Sequence, residues 1–360
     1  MTDGDALAAR TLALVDVPSV SRDEAAMVDA VRAQAAAGDA FELLDDEDTC
    51  LLYLPRTRRH GVPLVLFAGH LDTVPIAGNV PGRRADGVIH GRGSSDQKAG
   101  VAVMLQLQDD LAAGAIAAAI DAGFLYVGRE EIDESALAPC LARHPALSDE
   151  VDLAIVTEPT DNALEIGCMG NLNARVTARG SAAHSARPWL GRNAVHDGIR
   201  ALAAIADLPA RDVEIDGLVF REVTNVTTIA GGVAPNVIPD RLVATVNVRY
   251  APTHSPDEAE DRLRELLGRA DVEVEVLSNA AGGPVAIAHP LAARLRDIGS
   301  LEVRPKQAWT PVAEFGQARI PAVNCGPGDP AFAHRDDEQV TEAALVAGYE
   351  LFRGFLAAAP

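Results

Sequence analysis

Cysteine is scarce in this chain of 360 residues, and the four present, Cys50, Cys140, Cys168 and Cys325, stand far apart without Cys-x-x-Cys spacing. That spacing argues against a zinc knuckle or a redox pair and leaves buried, reduced thiols as the expectation. Net positive charge is also missing. The 31 Lys and Arg are outnumbered by 52 Asp and Glu, and a net charge of -21 opposes extended contact with nucleic acid or an anionic membrane. An anionic substrate would therefore need a local positive centre, such as a metal or an arginine. No uninterrupted apolar run is long enough to span a bilayer, and the acidic start Met1-Thr2-Asp3-Gly4-Asp5 lacks the basic region of a secretory signal. The expectation is a cytoplasmic protein.

What is abundant is apolar sequence, 48% of the chain, enough for more than one core, because single cores stop growing at ~250–300 residues. Helical spacing over residues 5–17 and 22–37 opens a first domain, with Ser21 or Asp23 as N-cap of the second helix. Short β-type runs follow at 41–44 and 50–54. A buried strand over 64–68 then breaks into Gly69-His70-Leu71-Asp72. The stretch Gly91-Arg92-Gly93-Ser94-Ser95-Asp96 leads into a helix expected over 99–111, without the Gly-Lys-Ser/Thr ending of a phosphate loop. Two more apolar strands end in Glu130-Glu131 and in Glu158-Pro159. In open α/β sheets the carboxyl ends of the strands are where ligand sites form.

From about Gly170 the order becomes strand (172–179), helix (192–206), strands (223–230 and 240–249), helix (256–268) and strand (271–277), the ferredoxin-like pattern of a small α+β domain. Gly282-Gly283-Pro284 suits a hinge. The α/β pattern then resumes with a strand over 320–324, His334 and a terminal helix over 341–357. The expected division is 1–169 and 282–360 for a mixed-sheet α/β catalytic domain, with 170–281 as an inserted α+β domain.

His70, Asp96, Glu131, Glu158 and His334 form the candidate chemical set, with Asp72 and Glu130 beside them. Two imidazoles and three carboxylates suit two borderline divalent ions with one carboxylate bridging; zinc accepts such donors, and cobalt or manganese could replace it. In an adjacent acidic pair one carboxylate can bind metal while the other serves as general base. A metal-independent nucleophilic hydrolase is disfavoured, since Ser94, Ser95 and Ser185 lack a G-x-S-x-G elbow. A binding or assembly protein on an inactive scaffold is the alternative from another class.

The series GHLDTVP, GRGSSDQKAG, EEID, TEP, GSAAHSARPWLGRNA, APNVIPD and FAHRDDEQV resembles the dinuclear-zinc family of aminoacylase and carboxypeptidase G over nearly the whole chain. WLGRNAVH, DGLVFREVTNV, NVIPD and CGPGDPAFAH are most similar to the actinobacterial branch of its succinyl-diaminopimelate desuccinylases. The resemblance implies a zinc-peptidase-like catalytic domain holding two zinc ions. His70 and Glu158 would hold one, Glu131 and His334 the other, with Asp96 bridging through a residue followed by a cis peptide. Asp72 would support His70, and Glu130 would be the base. The inserted domain would be a lid and dimerisation domain of a homodimer. From it His184 would reach the partner's site and polarise the scissile carbonyl, while Asn236 and Arg249 would contact substrate carboxylates. The implied activity is hydrolysis of a small N-acyl amino acid, on the route to lysine and cell-wall precursors. Other deacylases, such as N-acetylornithine deacetylase, and dipeptidases are the rivals within the family. Three positions depart from its pattern: Gln97 where methionine is usual, and Pro311 and Glu314, expected near the substrate pocket.

Overall fold

The computed structural model describes residues 4–35, 38–132, 134–268 and 271–357. They divide into two compact units: the described parts of Met1–Gly167, Ala286–Arg304 and Thr310–Pro360 form one, and Cys168–Val285 with Pro305–Trp309 the other.

The first unit is built on an eight-stranded mixed sheet in the order Phe41–Asp45, Cys50–Pro55, Asp121–Val127, Leu64–His70, Leu153–Val156, Ala322–Asn324, Leu164–Ile166 and Val303–Pro305. The four strands from Asp121–Val127 to Ala322–Asn324 run parallel, so their carboxyl ends share one edge. All four are buried throughout, which is why they read as continuous apolar runs rather than alternating ones. Phe67 stacks on Phe124 at 5.7 Å between ring centroids and meets Phe352 of the terminal helix Glu342–Ala357 edge-on at 5.2 Å. The helix Lys98–Ala112 starts directly behind Asp96 and buries its first eight residues, Lys98 to Leu105.

The predicted helix over 22–37 is shorter, Ala25–Gln34, and Glu24 rather than Ser21 or Asp23 occupies its N-cap without a side-chain bond; residues 36–37 lie outside the described residues. Ser21 is engaged elsewhere, donating its hydroxyl to Asp72.

The second unit is a five-stranded sheet in the order Arg211–Ile215, Leu218–Gly231, Arg241–Tyr250, Gly170–Arg179 and Val272–Ala280. Helices Ala194–Ala206 and Pro256–Leu267 cover one face, over Leu172, Ala174, Val176, Leu242, Ala244 and Val246. Their starts are fixed chemically. Asn193 accepts the Val195 and His196 N–H groups, and Ser255 with Glu258 forms a capping box. Without Arg211–Ile215 the order is ferredoxin-like. That extra strand was missed in the sequence, where its exposed, charged residues hide the pattern; its signal is Asp216-Gly217, both at positive φ, the turn that two-residue hairpins prefer.

Candidate metal centre

The parallel strands carry the chemistry to one edge. His70 ends its strand buried, with Nδ1 2.9 Å from the Asp72 backbone carbonyl. A carbonyl only accepts, so Nδ1 carries a proton and Nε2 is the nitrogen directed at the cluster. Nε2 lies 3.0 Å from Asp96 Oδ1 and 3.8 Å from Glu158 Oε1. On the other side of the same carboxylate, Asp96 Oδ2 is 3.4 Å from His334 Nε2, which in turn is 2.9 Å from Glu131 Oε2. Donor atoms of His70, Asp96 and Glu131 lie within 4.8 Å of one another, and so do those of His70, Glu130 and Glu158. The Asp96–Gln97 peptide bond is cis. Asp133, which closes the EEID motif, lies outside the described residues.

Asp72 touches His70 through its backbone carbonyl and reaches further through its side chain. Its carboxylate is 3.6 Å from the His70 ring and spends its lone pairs on the backbone N–H of Glu130 (3.0 Å) and Glu131 (3.1 Å) and on the Ser21 hydroxyl (2.7 Å). It is the backbone carbonyl of Asp72 that holds the ring, while the side chain pins the acidic pair. Arg129, just before that pair, and His334 both adopt left-handed backbone, at φ 63° and 65°, conformations that non-glycine residues hold only where the surroundings impose them.

Electrostatics match the crowding. Burial opposes a charged His70, yet the hydrogen bond to Asp96 and the charges of Glu130, Asp96 and Glu158 raise its pKa well above the usual histidine range. Hydrogen bonds to Asp96 and Glu131 push His334 up to about 10. Burial resists ionisation of Asp96, but His334 and His70 hold its carboxyl below the usual range. Burial and then the Glu158 charge raise Glu130 well above the usual carboxylate range. Four carboxylates thus face two imidazoles in a mostly buried space, a donor set of nitrogen and oxygen that fits divalent cations of the zinc type.

Two supporting residues were not singled out from the sequence. Glu338 is buried, accepts the Ser95 and Asp96 N–H groups at 3.1 and 3.0 Å through Oε1, and pairs with buried Arg92 at 2.9 Å through Oε2. It fixes the turn that presents Asp96. In the sequence it closes the run Asp336-Asp337-Glu338, which reads as a solvated acidic patch. Lys98, buried behind the same turn, donates to the Val17 carbonyl at 2.8 Å, and burial lowers its ammonium to about 7.

Tertiary structure also unites two of the cysteines. Cys50 and Cys140 meet beside Asp45, but Arg143 and His144 each engage Asp45 Oδ2 at 2.8 Å, which commits that carboxylate to an ion pair; all four cysteines are buried. His184 and Asn236 lie together on the second unit, where His184 bridges to Val237 and Ser185 donates to the Asn236 carbonyl at 2.9 Å. Arg249 is not with them. It sits near the end of Arg241–Tyr250 on the wall of a cavity of about 400 Å³ with Tyr250 and Leu263. Eight residues of strand from Arg241, at ~3.3 Å each, separate it from the loop that carries Asn236 by roughly 25 Å. Glu314 accepts a hydrogen bond from Ser135 at 3.1 Å and lines a cavity of about 370 Å³ with Ala138 and Gln317, a cavity that none of the cluster residues lines.

The model of peptidase family M20/M25/M40 matches residues 66–358, and the chain belongs to that family, whose chemistry here is metal-dependent amide hydrolysis. Among its relatives, a Mycobacterium tuberculosis protein named as succinyl-diaminopimelate desuccinylase DapE is 41% identical over 350 residues, covering 96% of each chain. The succinyl-diaminopimelate desuccinylase of Corynebacterium glutamicum is 38% identical over 351 residues, covering 93% of each. Of solved structures, the Bacillus subtilis YXEP protein, a dinuclear metal-binding peptidase of the M20 family, superposes with a TM-score of 0.68 at 15% identity, over 98% of this chain and 97% of that one.

Glu314 supplies a pH test. Burial pushes its carboxyl up to about 7, against 4.5 for the ordinary residue. The folded protein keeps this proton where the unfolded chain has released it, so stability is full below about 4.5 and falls as pH rises to about 7, by on the order of 3 kcal/mol. Urea unfolding of Glu314→Gln should lack that fall between pH 5 and 8; an unchanged profile would assign the pH dependence to other groups.

Proposed function

We propose that the chain removes the succinyl group from N-succinyl-LL-2,6-diaminopimelate, giving succinate and LL-2,6-diaminopimelate for lysine and cell-wall synthesis, as a cytoplasmic homodimer. The observation that carries this reading is the Asp96 carboxylate, with one oxygen toward His70 and Glu158 and the other toward His334 and Glu131, in a chain 41% identical to a named desuccinylase. On this reading His70 and Glu158 hold one zinc ion, Glu131 and His334 the other, and Asp96 bridges. Bound there, the metals supply Lewis-acid polarisation of the scissile carbonyl and make water a better acid.

The remaining steps belong to the chain's own residues. Glu130, held by the Asp72 carboxylate at its backbone N–H, is the carboxylate of the acidic pair left without a metal, which suits a base that takes a proton from water and returns it to the leaving amine. His184 is suited to donate to the developing oxyanion. Its Nδ1 accepts the Ala186 N–H at 3.1 Å, so in the neutral ring the proton is on Nε2, free to donate. Asn236 and Arg249 are assigned to the substrate carboxylates. Their separation by most of the strand Arg241–Tyr250 supports a site in which the two come from different subunits, with Cys168–Val285 as the lid and dimerisation domain.

Purified protein loaded with zinc or cobalt should hydrolyse the N-succinyl substrate in preference to N-acetylornithine and to dipeptides, and lose activity to a chelator. Preference for a dipeptide would move the assignment elsewhere in the family, and full activity in chelator would remove the metals from the reaction. Glu130→Gln should keep its metals and lose turnover by roughly 10² to 10⁴. Near-normal turnover would hand the base to another group. Mixing inactive His184→Ala and Glu130→Ala subunits under exchange should restore activity, since each heterodimer then holds one site with both defects and one with neither. Continued silence despite demonstrated exchange would place His184 in its own subunit's site.

A further inference from the structure

Gln97 follows Asp96 and is fully buried, a position where an amide must find partners for both its ends. Its Nε2 lies 2.6 Å from Glu158 Oε1, and its Oε1 lies 3.0 Å from Thr157 Oγ1. Only one orientation of the amide is compatible with this. A carbonyl oxygen placed 2.6 Å from an ionised carboxylate would repel it, so the N–H end must face Glu158 and the oxygen must face Thr157. The Thr157 hydroxyl, in turn, sits within 3.2 Å of the Ala68 carbonyl on the strand that ends at His70.

The space for this chain of contacts is cut by two missing side chains. A Cβ at Gly69 would come within 2.9 Å of Gln97 Oε1 and 3.0 Å of Thr157 Oγ1. One at Gly100, in the helix behind Asp96, would come within 2.5 Å of the same hydroxyl. The strand bearing His70, the turn bearing Asp96 and the strand end bearing Glu158 are thus locked through one amide. Methionine, the usual residue of the resembling family here, has no N–H to offer.

We propose that Gln97 is a positioning residue that holds the Glu158 carboxylate by Oε1 in one orientation, and thereby sets the affinity of the one metal position that Glu158 shares with His70. This rests on the two-metal reading above. A hydrogen bond lowers the basicity of the oxygen it engages, which weakens binding slightly, but it also fixes the carboxylate before the cation arrives, so less side-chain freedom is lost on binding. Outer partners of this kind are worth 10- to 100-fold in metal affinity, so fixation outweighs the loss of basicity.

The test measures zinc binding to metal-stripped protein by competition with a chromophoric chelator, beside urea unfolding of the same metal-stripped forms. Wild type should take up two zinc ions per chain. Gln97→Met, close in volume, should unfold at a similar urea concentration, bind one ion as wild type does, and bind the other roughly 10- to 100-fold more weakly. Thr157→Val, which frees the far end of the amide, should weaken the same ion by less. In a Glu158→Ala background Gln97→Met should have no further effect on binding, because the group it acts through is gone. Affinities for both ions unchanged from wild type in Gln97→Met, or an effect that persists without Glu158, overturns the role of Gln97 while leaving the metals in place. Wild-type protein that binds no second zinc ion overturns the two-metal reading, and the role of Gln97 with it.

Discussion

Repulsion among four carboxylates gathered at one sheet edge is the constraint on which the rest of this structure depends. Asp96, Glu130, Glu131 and Glu158 cannot all stay ionised in a mostly buried space without compensation, because each buried charge costs several kcal/mol unless it is paired. Two imidazoles offset part of that, and both have their proton affinity raised in consequence. Burial and Glu158 raise Glu130 as well. Under the proposed function divalent cations remove the remaining repulsion. Glu130, the carboxylate that the proposal leaves without a metal, is then the one available to the chemistry as a base.

Holding such a cluster takes a second layer of polar groups, and the chain supplies it from distant sequence. Asp72 pins the backbone of the acidic pair, Glu338 the turn before Asp96, and Gln97 the Glu158 carboxylate. Each sits where its acceptors or donors would otherwise be buried without partners, so the layer stabilises the fold and sets the site geometry through the same bonds. In the second unit the logic is different. His184 and Asn236 are exposed and adjacent, while Arg249 lies most of a strand away, a layout with little meaning for one chain and a clear one for a pair of subunits under the proposed function.

The continuous apolar runs ending in His70, Glu130-Glu131 and Glu158 were legible because a parallel sheet buried on both faces leaves an unbroken signature, and the inserted βαββαβ order because its helices and strands alternate cleanly. The strand Arg211–Ile215 was not legible. Its side chains are exposed or half-buried, so no alternation survives, and only its Asp-Gly turn marks it. Pro311 and Glu314 could be recognised as departures, but the partner is not written in sequence: Glu314 accepts from Ser135, 179 positions earlier in the chain.

Local sequence thus determined which residues have the chemistry and which strands deliver them, because hydrophobic period and residue type are properties of short segments. Tertiary structure alone decided which lone pair meets which partner. The Asp72 carbonyl rather than its carboxylate holds His70, Glu338 grips a turn more than 240 residues earlier in the chain, and Gln97 reaches Glu158 across 61 positions. Hydrogen bonds depend on tenths of an ångström and on direction, and those are fixed only when the whole sheet edge closes.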